Sequence, residues 1–247
     1  MLNGQPERWA ELCSALLQRR CAAAVNIRTC LVFALAFAGS GEEAIVAADG
    51  LIEAAEATEN PFLLSFALNA YGSAFRETDT IRARDALRRG LAIAQDCGNR
   101  FTESSLANTL SRIEAVHGNA ASAFDHLALA IRNYHDSGNP STMRSSLAVL
   151  TALFDRLGRY EPAATIAGFA VGPMTERAFP EITAAIAHLR EVLGDQTYES
   201  LARTGETMTT AAMATYAFDQ IDQARAELNC REIDDIRGSQ NSVSESP

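Results

Sequence analysis

Lysine is missing from this chain of 247 residues, so all 21 basic side chains are arginine. That excludes a P-loop lysine, a Schiff-base lysine and a Ser–Lys dyad. Aromatic residues are scarce at 7%, and only 7 prolines and 15 glycines interrupt the chain. Cysteine is limited to Cys13, Cys21, Cys30, Cys97 and Cys230, an odd set with no CxxC spacing. Such a set argues against a disulfide framework and fits a reducing cytoplasm, with Cys13, Cys21 and Cys30 as small core residues. Long apolar runs are lacking too. The longest, 31–38, falls well short of the roughly 20 residues that span a bilayer. At the N-terminus, Glu7, Arg8, Glu11, Gln18, Arg19 and Arg20 stand where a signal peptide needs an apolar core.

What is present points one way. Alanine occurs 45 times, and 47% of residues are hydrophobic. Much alanine with few breakers favours an all-α chain, and this length allows one or two domains with a sizeable core. The net charge of -10, from 31 acidic residues against 21 arginines, argues against a nucleic-acid surface. The tightest basic cluster is Arg82, Arg84, Arg88 and Arg89. With Asp85 four residues before Arg89, it reads as a solvated helix face carrying an ion pair.

The chain repeats itself. Glu59-Asn60-Pro61, Gly98-Asn99-Arg100 and Gly138-Asn139-Pro140 place asparagines 39 and 40 residues apart. Between them lie Ser40-Gly41, Thr78-Asp79, Gly118-Asn119 and Gly158-Arg159, at similar spacing. Gly and Asn tolerate the left-handed conformation that ends a helix, and Pro suits a first helical turn. Each repeat is therefore expected to be two helices joined by tight turns. Apolar residues follow helical spacing in the first helices: Ala67, Leu68, Tyr71, Ala74 and Phe75; Leu106, Ala107, Leu110 and Ile113; Leu147, Leu150, Leu153 and Phe154. The second helices are rich in alanine, which lets neighbours pack closely. A single hairpin cannot cover its apolar face, so the expected architecture is a right-handed superhelix of stacked antiparallel hairpins with a period of about 40.

The expected organisation is a leading helix in 1–21, an array in 22–170, a helical cap in 171–228 and a disordered tail in 229–247. Within the array the repeats span 22–60, 61–99, 100–139 and 140–170. Val171-Gly172-Pro173 breaks the pattern, and Phe179-Pro180 introduces a helix over 181–193. Gly194-Asp195 opens another over 196–203, and Thr209 or Thr210 caps a last helix ending near Leu228. Polar composition from Asn229 onward predicts the disordered tail.

These repeats resemble a tetratricopeptide-type array, although the period exceeds the usual 34 and the standard Trp and Tyr positions are lacking. The closing segment is more specific. Leu189-Arg190-Glu191-Val192-Leu193-Gly194 and Tyr198 are followed by Gly205-Glu206-Thr207-Met208-Thr209 and then Thr215-Tyr216-Ala217. Over residues 25–228 the chain is similar to the helical C-terminal region of bacterial LuxR-type and MalT-like ATPase regulators of the signal-transduction class, some fused to adenylate cyclase domains. The resemblance implies a cytoplasmic sensor or interaction module acting on an ATPase or cyclase. The chain has no GxxxxGK[ST] sequence, and its short acidic tail offers no room for the helix-turn-helix that often follows such a region, so neither ATP hydrolysis nor DNA binding is expected to carry over.

No catalytic constellation emerges. His117, His126 and His135 are nine residues apart, and nine residues turn a helix through about 900°, so they do not converge as metal ligands. Ser40 and Ser73 lack the GxSxG context of a nucleophile elbow; Ser40 reads as a hairpin turn residue or N-cap, and Gly72 as a close-packing point. Asp125 beside His126 is a sequence neighbour only. The chain is thus expected to be no enzyme and to use neither cofactor nor metal. Opposite the apolar stripe lies a polar row: Ser65 and Asn69; Ser104, Asn108, Ser111 and Arg112; Arg144 and Thr151. Two readings stay open, an ordinary solvated face and a concave surface that binds a protein or peptide. The alternative function is sensing a small molecule on behalf of a separate ATPase or cyclase. Neither a nucleic acid nor a membrane is an expected partner.

Overall fold

The recurring asparagines begin helices, and the residues before them end the preceding ones. Asn60 Oδ1 accepts hydrogen bonds from the amides of Phe62 (3.0 Å) and Leu63 (3.3 Å). Asn99 Oδ1 accepts from Thr102 N (3.2 Å) and Asn139 Oδ1 from Thr142 N (3.3 Å). These bonds satisfy amides that a helix start leaves without intrahelical partners. One residue earlier, Gly98 and Gly138 take left-handed backbone at φ 70° and 66°, and Glu59 does so at 52°. The 39–40-residue signature is therefore one helix stop followed by one helix start. Asn99→Ala is expected to cost about 1 kcal/mol and roughly 2–4 °C of melting temperature by thermal denaturation.

The computed structural model describes residues 5–17, 24–172, 175–176 and 179–244. Cys21, Pro173 and residues 245–247 lie outside them. Among the described residues all regular structure is helical. The leading helix α1 is Pro6–Leu17. Then come α2 (Ala24–Ala38), α3 (Gly41–Ala48), α4 (Leu51–Glu56), α5 (Pro61–Phe75), α6 (Thr80–Asp96), α7 (Arg100–His117), α8 (Ala120–Asp136), α9 (Pro140–Arg156) and α10 (Tyr160–Ala170). The C-terminal segment holds α11 (Pro180–Leu193), α12 (Asp195–Glu206) and α13 (Thr210–Ser244). No described helix is long and apolar enough to cross a membrane.

Three helix pairs, α5–α6, α7–α8 and α9–α10, lie in the stretches 61–99, 100–139 and 140–170. Successive hairpins touch through α6–α7 and α8–α9, and the first helices also meet in the pairs α5–α7 and α7–α9. The unit expected at 22–60 differs. Its second helix is split into α3 and α4, because the chain leaves the helix at Asp49 and Gly50 takes left-handed backbone at φ 64°. The last helix also differs, running on to Ser244 instead of ending near Leu228. No proline interrupts that stretch before Pro247, and backbone helix formation does not require apolar side chains. Residues 229–244, expected to be disordered, are thus helical.

The apolar stripes read from the sequence are buried throughout and form two clusters that meet at α7. Leu106, Leu110 and Ile113 face the cluster of α2–α6, whereas Ala107 faces the cluster of α8–α13. Phe124 and Phe154, both fully buried, centre the second with ring centroids 5.7 Å apart. The C-terminal helices close over that end: α11 packs on α9 and α10, α12 on α10, and α13 on α8 and α10. Arg159 helps hold α13 by donating to Glu227 (3.0 Å), Gln220 (3.0 Å) and Gln223 (3.2 Å).

The arginine cluster of α6 is no uniform solvated face. Arg84 and Arg88 pair with Glu114, which is 4% exposed, at 3.0 and 3.3 Å. Arg89 bonds Glu56 at 2.6 Å and not Asp85, and Arg82 lies over the rings of Tyr71 and Phe75. A carboxylate as buried as Glu114 is tolerated because cations from the neighbouring helix meet it.

Candidate functional site

The first helices of the hairpins frame a cavity of about 360 Å³. On α7, Ser105, Asn108, Thr109 and Arg112 point into it, and their i, i+3, i+4, i+7 spacing defines one face of the helix. From α5 come Phe66 and Ser73, with Arg76 just past its end; from α9 come Ser141, Thr142 and Ser145. Trp9 of α1, Phe33 and Phe37 of α2, and Thr175 and Phe179 also line it. Phe33 packs on Phe66 with centroids 5.2 Å apart, which makes a continuous aromatic wall between α2 and α5. Hydroxyls from α7 and α9 provide a contrasting polar wall.

The eight residues of the expected polar row divide sharply. Ser65, Ser104, Ser111 and Thr151 are buried, and each hydroxyl donates to a carbonyl of its own helix: Phe62 (3.0 Å), Arg100 (2.6 Å), Asn108 (2.8 Å) and Leu147 (3.0 Å). Asn69 is fully buried between α5 and α7, where its amide donates to Ser105 Oγ (2.7 Å) and its oxygen accepts from Thr109 Oγ1 (3.0 Å). Arg144 reaches α10, donating to the Phe169 carbonyl and lying 4.4 Å from the Phe169 ring centroid. Asn69 and Arg144 thus tie helices together, the four hydroxyls bond within their own helices, and none of the six lines the cavity. Asn108 and Arg112 alone of the eight line it.

Arg112 is 8% exposed and forms a two-pronged pair with Glu181 at the start of α11, at 2.6 and 3.0 Å. Its guanidinium also lies 4.7 Å from the centroid of Phe179. Burial lowers its pKa, the nearby Arg76 lowers it further, and Glu181 opposes both. Asn108 Oδ1 is buried and accepts no hydrogen bond among the described residues. Burial also pushes the Tyr134 phenol, another lining group, well above the ordinary tyrosine range, against a hydrogen bond with Ser105.

Sequence reasoning missed the aromatic wall and half of the α7 face. Ser105 and Thr109 were readable in principle, because they share helical spacing with Asn108 and Arg112. The contributions of α1 and α2 were not, since those helices lie outside the stretch in which the repeats align without gaps. The remaining chemical candidates stay apart. Asp125 bonds Arg225 (2.5 Å), His126 is half-buried with its pKa lowered by burial, and His135 contacts Asp136 (3.3 Å). Among the described residues no three His, Cys, Asp or Glu side chains are grouped to hold a metal. Cys13 is buried, and its thiol is pushed up to about 11 by burial and by neighbouring Cys30, which keeps it protonated.

Comparison with family models, curated proteins and solved structures found no match to this chain.

Proposed function

We propose that the chain is a non-catalytic sensor module, a right-handed superhelix of tetratricopeptide-like hairpins similar to the C-terminal region of LuxR-type and MalT-like regulators, and that it holds a small molecule in its inner cavity. It acts in the cytoplasm on a separate ATPase or cyclase. The observation that carries this reading is the 360 Å³ cavity lined by aromatic rings and by hydroxyls. Its volume falls in the range of about 300–1,000 Å³ usual for small-molecule sites, which are largely apolar with a few placed polar groups. An extended peptide along the concave face is less well supported, because six of its eight expected anchors bond within the protein.

A metabolite library screened by thermal shift tests the reading. A true ligand at 100 times its dissociation constant stabilises the fold by about 2.7 kcal/mol. Ser145→Phe, which fills the cavity from α9, is expected to abolish that shift while the chain stays folded. A shift that survives Ser145→Phe places the ligand elsewhere and removes the cavity from the account.

One observation favours a second reading, docking of a partner protein. Phe62 and Phe101 occupy equivalent positions one residue into α5 and α7 and are 41% and 56% exposed. Two large apolar side chains one repeat apart suit a protein contact. A Phe62→Ser/Phe101→Ser variant that captures an ATPase partner as well as the parent chain would sink this second reading.

A further inference from the structure

The cavity carries information about the charge of its occupant. Its described lining contains two guanidinium groups, Arg76 and Arg112, and no carboxylate. Arg112 is neutralised by both oxygens of Glu181. Arg76 is held differently. Its Nε donates to Glu77, the next residue in sequence, at 2.9 Å, and the Glu77 side chain is 74% exposed. A pair with so exposed a partner contributes little, because water screens it and competes for both groups. The terminal nitrogens of Arg76 bond no protein group among the described residues, although the side chain is only 19% exposed. A guanidinium so placed, in partly dry surroundings beside a second cation, presents two parallel N–H donors that match a carboxylate.

Phe33 and Phe66 provide an apolar wall of the same cavity. Resting on the small-molecule reading above, we propose that the occupant is a small organic carboxylate with an aromatic or alicyclic body: the carboxylate on Arg76 and the ring against Phe33 and Phe66.

The chain's only tryptophan, Trp9, lines the cavity, so its fluorescence reports on the site. The full chain is titrated with 4-phenylbutyrate and with its neutral counterpart 4-phenylbutyramide, following Trp9 emission. In parallel, the neutral dye N-phenyl-1-naphthylamine reports occupancy of the apolar wall. The expected result is that the carboxylate binds at least tenfold more tightly than the amide, and that Arg76→Gln erases the difference without weakening dye binding. Equal or tighter binding of the amide by the parent chain, with the dye still bound, overturns the carboxylate assignment and leaves the small-molecule reading standing. Failure of the dye and both compounds to perturb Trp9 overturns both.

Discussion

Gly205→Ala is expected to lower the melting temperature by roughly 6–12 °C, the effect of about 3 kcal/mol on a chain of this size. The cause is a crossing of two backbones. A Cβ built on Gly205 of α12 runs into the carbonyl oxygen of Thr165 on α10, and one built on Gly168 of α10 runs into the carbonyl of Ala202 on α12. The obstacle at each site is main chain, held by helical hydrogen bonds, and it cannot rotate aside as a side chain does. The extra methyl has to drive the helices apart, opening contacts along their length. Two controls separate this from the ordinary cost of losing glycine. Gly98→Ala, at φ 70° with nothing within 4 Å of the added carbon, suffers backbone strain but no clash and is expected to lose about 1 kcal/mol. Combining Gly168→Ala with Gly205→Ala is expected to cost less than the sum, because one separation relieves both. Faster hydrogen exchange in α12 than in α7 would locate the damage, whereas an unshifted melting curve for Gly205→Ala would show that the helices do not cross there.

Gly205 shows how far the sequence can be read. Its place in the closing motif was visible, as Gly205-Glu206-Thr207-Met208-Thr209. The reason for it was not, because the carbonyl it meets lies forty residues upstream on another helix. Local chemistry was readable by contrast. Asn60, Asn99 and Asn139 cap helices with amides two or three residues away, so spacing alone revealed them. The arginines of α6 mark the limit from the other side. Their charge was evident, but their partner Glu114 lies 26 and 30 residues from Arg88 and Arg84, between Ile113 and Ala115, with nothing nearby to signal burial. The candidate site was legible only in part, for a related reason. Serine and threonine can bond a carbonyl of their own helix and then accept burial, so a polar row on a helical wheel need not face solvent. Ser104 and Ser111 do this, and the cavity belongs to Ser105 and Thr109 at the adjacent angle.

Breaking the Arg112–Glu181 pair tests whether the C-terminal helices and the hairpin array stand as one unit at the cavity. Glu181→Gln is expected to destabilise the fold by about 3 kcal/mol, the lower end for a buried pair that loses one partner, since Glu181 keeps 29% exposure and Arg112 only 8%. The larger part of that loss is the stranded cation. Arg112 stays surrounded by α5, α7 and Phe179, with Arg76 repelling it, and a neutral glutamine returns only one hydrogen bond. Removing both partners avoids the stranded charge, so Arg112→Leu/Glu181→Leu is expected to be more stable than Glu181→Gln, and urea denaturation of the three proteins completes the comparison. The location of the pair gives the result a functional edge. Arg112 lines the cavity while Glu181 lies in the first turn of α11, where the helix dipole already favours an anion. A ligand carboxylate entering beside Arg76 comes close to the Arg112 guanidinium that Glu181 pairs with, and competition for that guanidinium would loosen α11. Limited proteolysis of the segment between α10 and α11 should then accelerate in Glu181→Gln and, to a smaller extent, in the parent chain saturated with 4-phenylbutyrate. A Glu181→Gln protein within about 0.5 kcal/mol of the parent would mark the pair as a surface contact and sever that link between cavity and cap.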